Sequence, residues 1–336
     1  SQGSVPPRGR APGAFLSLID GPDMSDPGVA TLPAYEPLLR DIVNLKRVRS
    51  AGRTGSWMER SFRRGWGRIL HVEDAPETAS FRPAAIEETA EAILATRLAD
   101  VSAPVLREHG LSAEATREIR VRGFEEAPLP DSPLRDSLRE AISSKDAAGE
   151  PVRDEGESPG FVDALCEQPR AGVTAPGTSR LMLTPTESHG DHCGAVAVFG
   201  VLLAPLFGAD VATTYLIGLA HHLHNATLPD AGHAGDVILG DSAGALIDAG
   251  RERAMRAIPE ELHDPIHSAL AHTEHVDSPE ARTFHAADAL DRVLEIAWHA
   301  QTADFSLDVA LDEYNLVHEG FAQDWQQRVL DASIFS

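Results

Sequence analysis

The stretch Val211-Ala-Thr-Thr-Tyr215-Leu-Ile-Gly-Leu-Ala-His221-His222-Leu-His224-Asn225 decides how this chain is read. An apolar run without period-two alternation predicts a helix over 209–225, not a strand. Three imidazoles close that helix. Upstream, Glu187-Ser-His-Gly-Asp-His192 opens a second apolar helix, expected over 189–206. Downstream, Ala287-Asp288-Ala-Leu-Asp291-Arg292-Val-Leu-Glu295 lies in a long helix expected over 279–303. Between them, Leu228-Pro-Asp230-Ala-Gly-His233 reads as a loop. Consecutive helices that each offer imidazole or carboxylate groups are how metal sites are built inside helical bundles. A buried imidazole cluster is costly unless it is paired or metal-bound.

The rest of the chain has the same character. Helices are expected at 35–48, 82–110, 112–121, 132–144, 242–257, 259–273 and 307–331, so the fold class is all-α. Residues 145–160 form a polar linker, and 167–187 a second loop punctuated by Pro169, Pro176 and Pro185. Four segments follow. Residues 1–32 are a flexible, Pro-rich lead, and 33–68 a basic helical segment. Residues 69–180 are a helical insertion with an acidic linker, and 181–336 the metal-binding helical domain. His263 with His267, and His272 with His275, have helical spacing and read as solvated faces.

Charge and composition exclude several functions. Acidic residues number 52 against 29 basic ones, a formal charge of −23. Such a surface repels nucleic-acid backbones and anionic membranes. The longest apolar stretch, Ala195–Phe207, is interrupted by Gly200 and Pro205 and falls short of the roughly 18 residues of a membrane span. Ser1–Pro12 carries no secretory pattern. Two cysteines, Cys166 and Cys193, make no disulfide framework, and a cytoplasmic location is expected. Against this background, residues 46–68 gather Lys46, Arg47, Arg49, Arg53, Arg60, Arg63, Arg64 and Arg68 beside one acid, Glu59. That island predicts either a solvated helix face or an anion site.

The order His192, His221-His222, Asp288 on successive helices resembles the HD-domain superfamily of metal-dependent phosphohydrolases. Glu187 to His192, followed by Gly194-Ala-Val-Ala-Val, looks like the branch that includes bacterial 5′-deoxynucleotidases. Asp230, nine residues after His221, and Leu45-Lys-Arg-Val with Arg63-Arg64-Gly65-Trp66 are similar to further elements of that branch. The likeness covers about 187–305 well and 38–68 loosely. It implies an HD-like helical bundle with an N-terminal helical extension and an insertion. Two positions depart from the family. His222 stands where the family's pair has Asp, and Asn225 stands where the nucleotidase branch has a water-activating Glu. A neutral imidazole cannot bridge two cations as a carboxylate does, so one metal is expected instead of two.

The resemblance therefore implies a single divalent transition metal (Mn, Co, Fe, Ni or Zn) on His192, His221, His222 and Asp288. Asn225 cannot take a proton, so Asp230, His224 and His233 are the candidate bases. Arg64, with Arg63 and Lys46, would hold a phosphate, and Trp66 would wall the pocket. The implied activity is hydrolysis of a nucleoside monophosphate or another small phosphomonoester, with no nucleic-acid polymer or membrane as partner and with homodimerisation. Two other classes fit the same residues. One is a non-haem iron oxygenase on the same fold. The other is a non-catalytic, metal-stabilised ligand-binding module.

Overall fold

The computed structural model describes residues 27–72, 77–144, 158–174, 176–177 and 180–302. Those residues are mostly helical, and the protein is all-α. Among them there is no strand, only two isolated antiparallel bridges, Pro169 to Ser188 and Val173 to Leu181. The chain divides into two compact units, Ser1–Asp291 and Arg292–Ser336.

The first unit is organised around α8, His189–Phe207. Ser188 caps it, accepting from the Asp191 amide, while the Asp191 carboxylate reaches back to the Ser188 amide. This is a reciprocal capping box. Sixteen of its residues, from His189 to Ala204, are buried. A helix apolar all round belongs in the middle of a bundle. It is long and apolar enough to cross a membrane, yet most of it is buried inside the protein. Gly208, at φ 71°, ends it in the left-handed conformation that glycine adopts without strain.

Two residues later Asp210 caps α9, Val211–Ala220, through the Thr213 amide. A short connection makes α8 and α9 an antiparallel hairpin, so the start of α8 and the end of α9 share one end of the bundle. The two helices approach closely at Gly218. A Cβ there would lie 2.3 Å from the Ala197 Cα. The helix expected over 209–225 stops at Ala220. The His221 ring takes the Gly218 carbonyl, the acceptor that the His222 amide would need to continue the helix. A 3-10 turn, Leu223–Ala226, follows.

Around this hairpin pack α1 (Pro27–Asn44), α2 (Trp57–Leu70), α3 (Arg82–Leu98) and α7 (Gly160–Glu167). A second pair, α5 (Ala113–Glu126) and α6 (Arg135–Ser143), packs on α3, with the short α4 (Ala103–Glu108) against α5. Next come α10 (Gly232–Leu239), α11 (Ser242–Met255), α12 (His263–Ala271) and α13 (Pro279–Thr302). α11 packs on the 223–226 turn, and α12 on α9.

Several sequence expectations change. The lead expected over 1–32 is helical from Pro27. The segment 33–68 is two helices joined by a turn. Within the 69–180 segment α3 buries Ala85, Ile86, Ala92 and Ile93 and packs on α2, α8 and α9. The helix expected over 82–110 breaks at Ala99, which has φ 49°. The cause is tertiary: Arg60 and Ser50 both seize the Asp100 carboxylate. The short helices α7 and α10 went unpredicted. The expected helix over 307–331 and residues 145–157 of the linker expected over 145–160 lie outside the described residues.

Of the second unit, residues 292–302 are described, the last turns of α13. There His299 Nε2 lies 3.0 Å from Glu295 Oε1. The Trp298 and His299 rings meet edge to face at 5.0 Å.

Candidate metal centre

The hairpin brings His192, from the first turns of α8, to His221 and His222, just past the end of α9. One ligand nitrogen from each ring lies within 4.8 Å of the others. The hydrogen bonds on the far side of each ring decide what these nitrogens are.

His192 Nδ1 is 2.8 Å from Asp291 Oδ2. His221 Nδ1 is 2.8 Å from the Gly218 carbonyl. His222 Nδ1 is 2.8 Å from Asn225 Oδ1. The Asn225 amide is itself oriented, because its Nδ2 donates to the Leu228 carbonyl at 2.9 Å. Each acceptor can only accept, so each Nδ1 carries the proton. All three Nε2 lone pairs are then left for the other side. Backbone and carboxylate acceptors that hold a ligand imidazole in one tautomer are what tuned metal sites use.

Those Nε2 atoms face inward. His192 Nε2 is 3.2 Å from His221 Nε2 and 3.2 Å from Asp288 Oδ1. Two bare lone pairs at that distance repel unless a cation or a proton lies between them. Burial, with the neighbouring His192 charge, pushes His221 down to about 3. Burial and the His221 and Arg170 charges push His222 well below the ordinary histidine range. Both are neutral, ligand-competent imidazoles at physiological pH. Burial and Arg170 work against charge on His192 too, but Asp288 and Asp291 outweigh them and hold it above the ordinary range.

The cluster has neighbours that the sequence did not point to. Arg170 donates from Nη1 to His222 Nε2 at 2.8 Å. Its place is set by its backbone, which bonds the Glu187 carbonyl at 2.9 Å beside the Pro169–Ser188 bridge. His189 is fully buried, its ring 4.9 Å from that of His222. Its Nδ1 lies 3.1 Å from the Gln168 carbonyl, and its Nε2 is 3.6 Å from Asp230 Oδ2 without a hydrogen bond. Asp291, which in sequence reads as a salt-bridge partner of nearby charges, is fully buried and holds His192.

A second acidic group adjoins the first: Glu187, His192 and Asp291. Lys46 already fills it. Its buried ammonium is 2.5 Å from Glu187 Oε1 and 2.7 Å from Asp291 Oδ1. The phosphate-holding role expected for Lys46 gives way to this internal one.

The other expected phosphate ligands are likewise committed. Arg63 pairs with Asp163. Arg64 pairs with the buried Glu88 at 3.2 Å and lies 5.1 Å over the Trp57 ring. Trp66 is fully buried, edge-on to Phe161 at 5.0 Å. Much of the basic island is thus paired with acids from α3, α7 and the lead into α8.

Of the expected bases, Asp230 accepts from the Ala171 and Gly232 amides, each at 2.9 Å. Burial raises its pKa, but those amides and Arg170 bring it below the ordinary range. His224 stands 5.5 Å ring to ring from His222, and burial with Arg251 lowers it to about 4. His233 is exposed on α10, and no contact among the described residues ties it to the cluster. His263 caps the Met255 and Ile258 carbonyls, and His272 bonds Ser278. Neither joins the cluster among the described residues.

No protein-family model matches this chain, and no curated protein and no solved structure matches it.

Proposed function

We propose that the chain is an HD-like metal-dependent phosphohydrolase acting on a small phosphomonoester, a nucleoside monophosphate among the candidates. The carrying observation is the convergence of three Nε2 lone pairs, each tautomer fixed from behind, beside the Asp288 carboxylate. Imidazole and carboxylate donors suit a divalent transition metal. One such ion would polarise a phosphoryl oxygen and acidify a bound water. Lys46 neutralises Glu187 and Asp291, which supports one ion instead of two.

The chain's own residues take the remaining roles. Arg170 supplies the positive charge nearest the ligand nitrogens, where a phosphate would need it. Asn225, fully used in orienting His222, takes no proton. A base is then sought among His189, His224 and Asp230, which border the cluster. His189 is the one whose unbonded Nε2 faces a carboxylate.

The test compares wild type with His221→Ala for phosphate release across a nucleotide panel with Mn, Co, Fe, Ni or Zn. Release from at least one substrate, lost in the variant, is expected. Metal bound by wild type without release from any substrate would defeat the hydrolase reading. Bound iron with oxygen uptake would favour the oxygenase class instead.

A further inference from the structure

Arg170 stands in an unusual place. Its Nη1 donates at 2.8 Å to His222 Nε2, the lone pair that a metal would take. Leu228 and Asn225 fix the His222 tautomer, so that nitrogen has no proton of its own and accepts one partner at a time. A divalent cation on His222 would sit within a few ångströms of the guanidinium, and like charges at that distance repel strongly in a buried site. The cation and Arg170 therefore compete for one atom.

We propose that Arg170 is an exchange group. It occupies His222 Nε2 until a divalent cation arrives, and then turns to hold the oxyanion that binds that cation. The proposal rests on the metal reading above and adds to it a coupling between cation and anion.

Three features support the exchange. The backbone at Arg170 is clamped: its amide bonds the Glu187 carbonyl, and the Ala171 amide bonds Asp230. The side chain can thus move without the loop. That side chain is 19% exposed, so it has an outlet. Its only other partner among the described residues is Glu187 Oε2 at 4.0 Å, too far to hold it firmly. Once released, a planar guanidinium beside a dication is suited to an anion with two oxygens to offer, such as a phosphate.

The test titrates Co2+, whose visible absorption reports nitrogen ligation, into wild type, Arg170→Gln, His222→Gln and the double variant. Each is measured with and without millimolar inorganic phosphate. Without phosphate, Arg170→Gln should bind Co2+ at least 5-fold tighter than wild type. Phosphate should tighten Co2+ binding to wild type by a similar factor and leave Arg170→Gln unchanged. On the His222→Gln background, Arg170→Gln should no longer tighten Co2+ binding, because the contested nitrogen is gone. Arg170→Lys, which keeps the charge, should recover part of the phosphate effect, and thermal melts confirm that each variant folds. Equal or weaker Co2+ binding by folded Arg170→Gln, with phosphate coupling intact, would overturn the exchange alone. Wild type that takes up no Co2+ would overturn the metal reading and the exchange with it.

Discussion

The Nε2 atoms of His192 and His221 face each other at 3.2 Å, while the opposite nitrogen of each ring is bonded to Asp291 and to the Gly218 carbonyl. An ion placed between them relieves that repulsion and ties α8 to α9. A divalent metal at 100 times its Kd should therefore stabilise the protein by about 2.7 kcal/mol. For a chain of this size that is a rise in melting temperature of roughly 4 °C, reversed by a chelator. Differential scanning fluorimetry checks it, and His192→Ala should show no shift.

Asn225 is buried and sets which His222 nitrogen carries the proton. Asn225→Ala removes that control, and metal affinity should fall by about 10-fold or more. Asn225→Asp keeps an acceptor at the same atom and should retain most of the affinity. Calorimetric titration separates the two. Equal losses in both variants would argue against tautomer control.

Lys46 is the counter-charge for Glu187 and Asp291. Lys46→Met leaves two carboxylates facing a buried apolar group, which should cost about 3–5 kcal/mol of stability. Divalent metal should restore part of it, with metal content rising from near one equivalent toward two. Urea melts and metal analysis by mass spectrometry read both effects.

How much of this was legible in the sequence follows from the range of each interaction. The hairpin of α8 and α9 was readable because caps and apolar runs are local: Ser188 with Asp191, then Gly208 and Asp210. The grouping of His192, His221, His222 and Asp288 was readable because the three histidines sit near helix ends and the four follow a simple order on successive helices. Arg170 was not. It lies in a loop punctuated by prolines, and its partner His222 is 52 positions away. The basic island misled because its neutralising acids lie on other elements: Glu88, Asp163 and Glu187 are distant in sequence from Arg64, Arg63 and Lys46. The break after Leu98 was equally hidden, since the pull on Asp100 comes from Arg60 and Ser50.

Glu88 gives a pH dependence with a definite sign. It is fully buried. Burial alone would raise its pKa, but Arg64, Arg68 and Ser61 hold the carboxyl below the ordinary 4.5. A carboxyl with a lowered folded-state pKa adds stability above its unfolded value, and that stability is lost as pH falls through the folded one. Glu88→Gln should cost about 3 kcal/mol at pH 7. The gap between variant and wild type should hold from neutral pH to about 4.5 and shrink below it. Urea midpoints measured down to pH 3 test this, and a gap that stays constant would contradict it.

Ala99 has φ 49° and ψ −124°, a conformation that favours glycine. Ala99→Gly should stabilise the protein by about 1 kcal/mol, read from denaturant midpoints. No change would mean that the turn relaxes in solution.

The bond from Lys46 to Asp291 joins positions 245 apart, and the one from Ser56 to Asp191 joins positions 135 apart. Contacts of such separation form late, because the chain between them must first be drawn into a closed loop. During synthesis α8 and α9 can pair while α13 is still inside the ribosome. A nascent or clipped chain that stops short of Asp288 would then carry every histidine of the cluster and neither of the carboxylates that complete it.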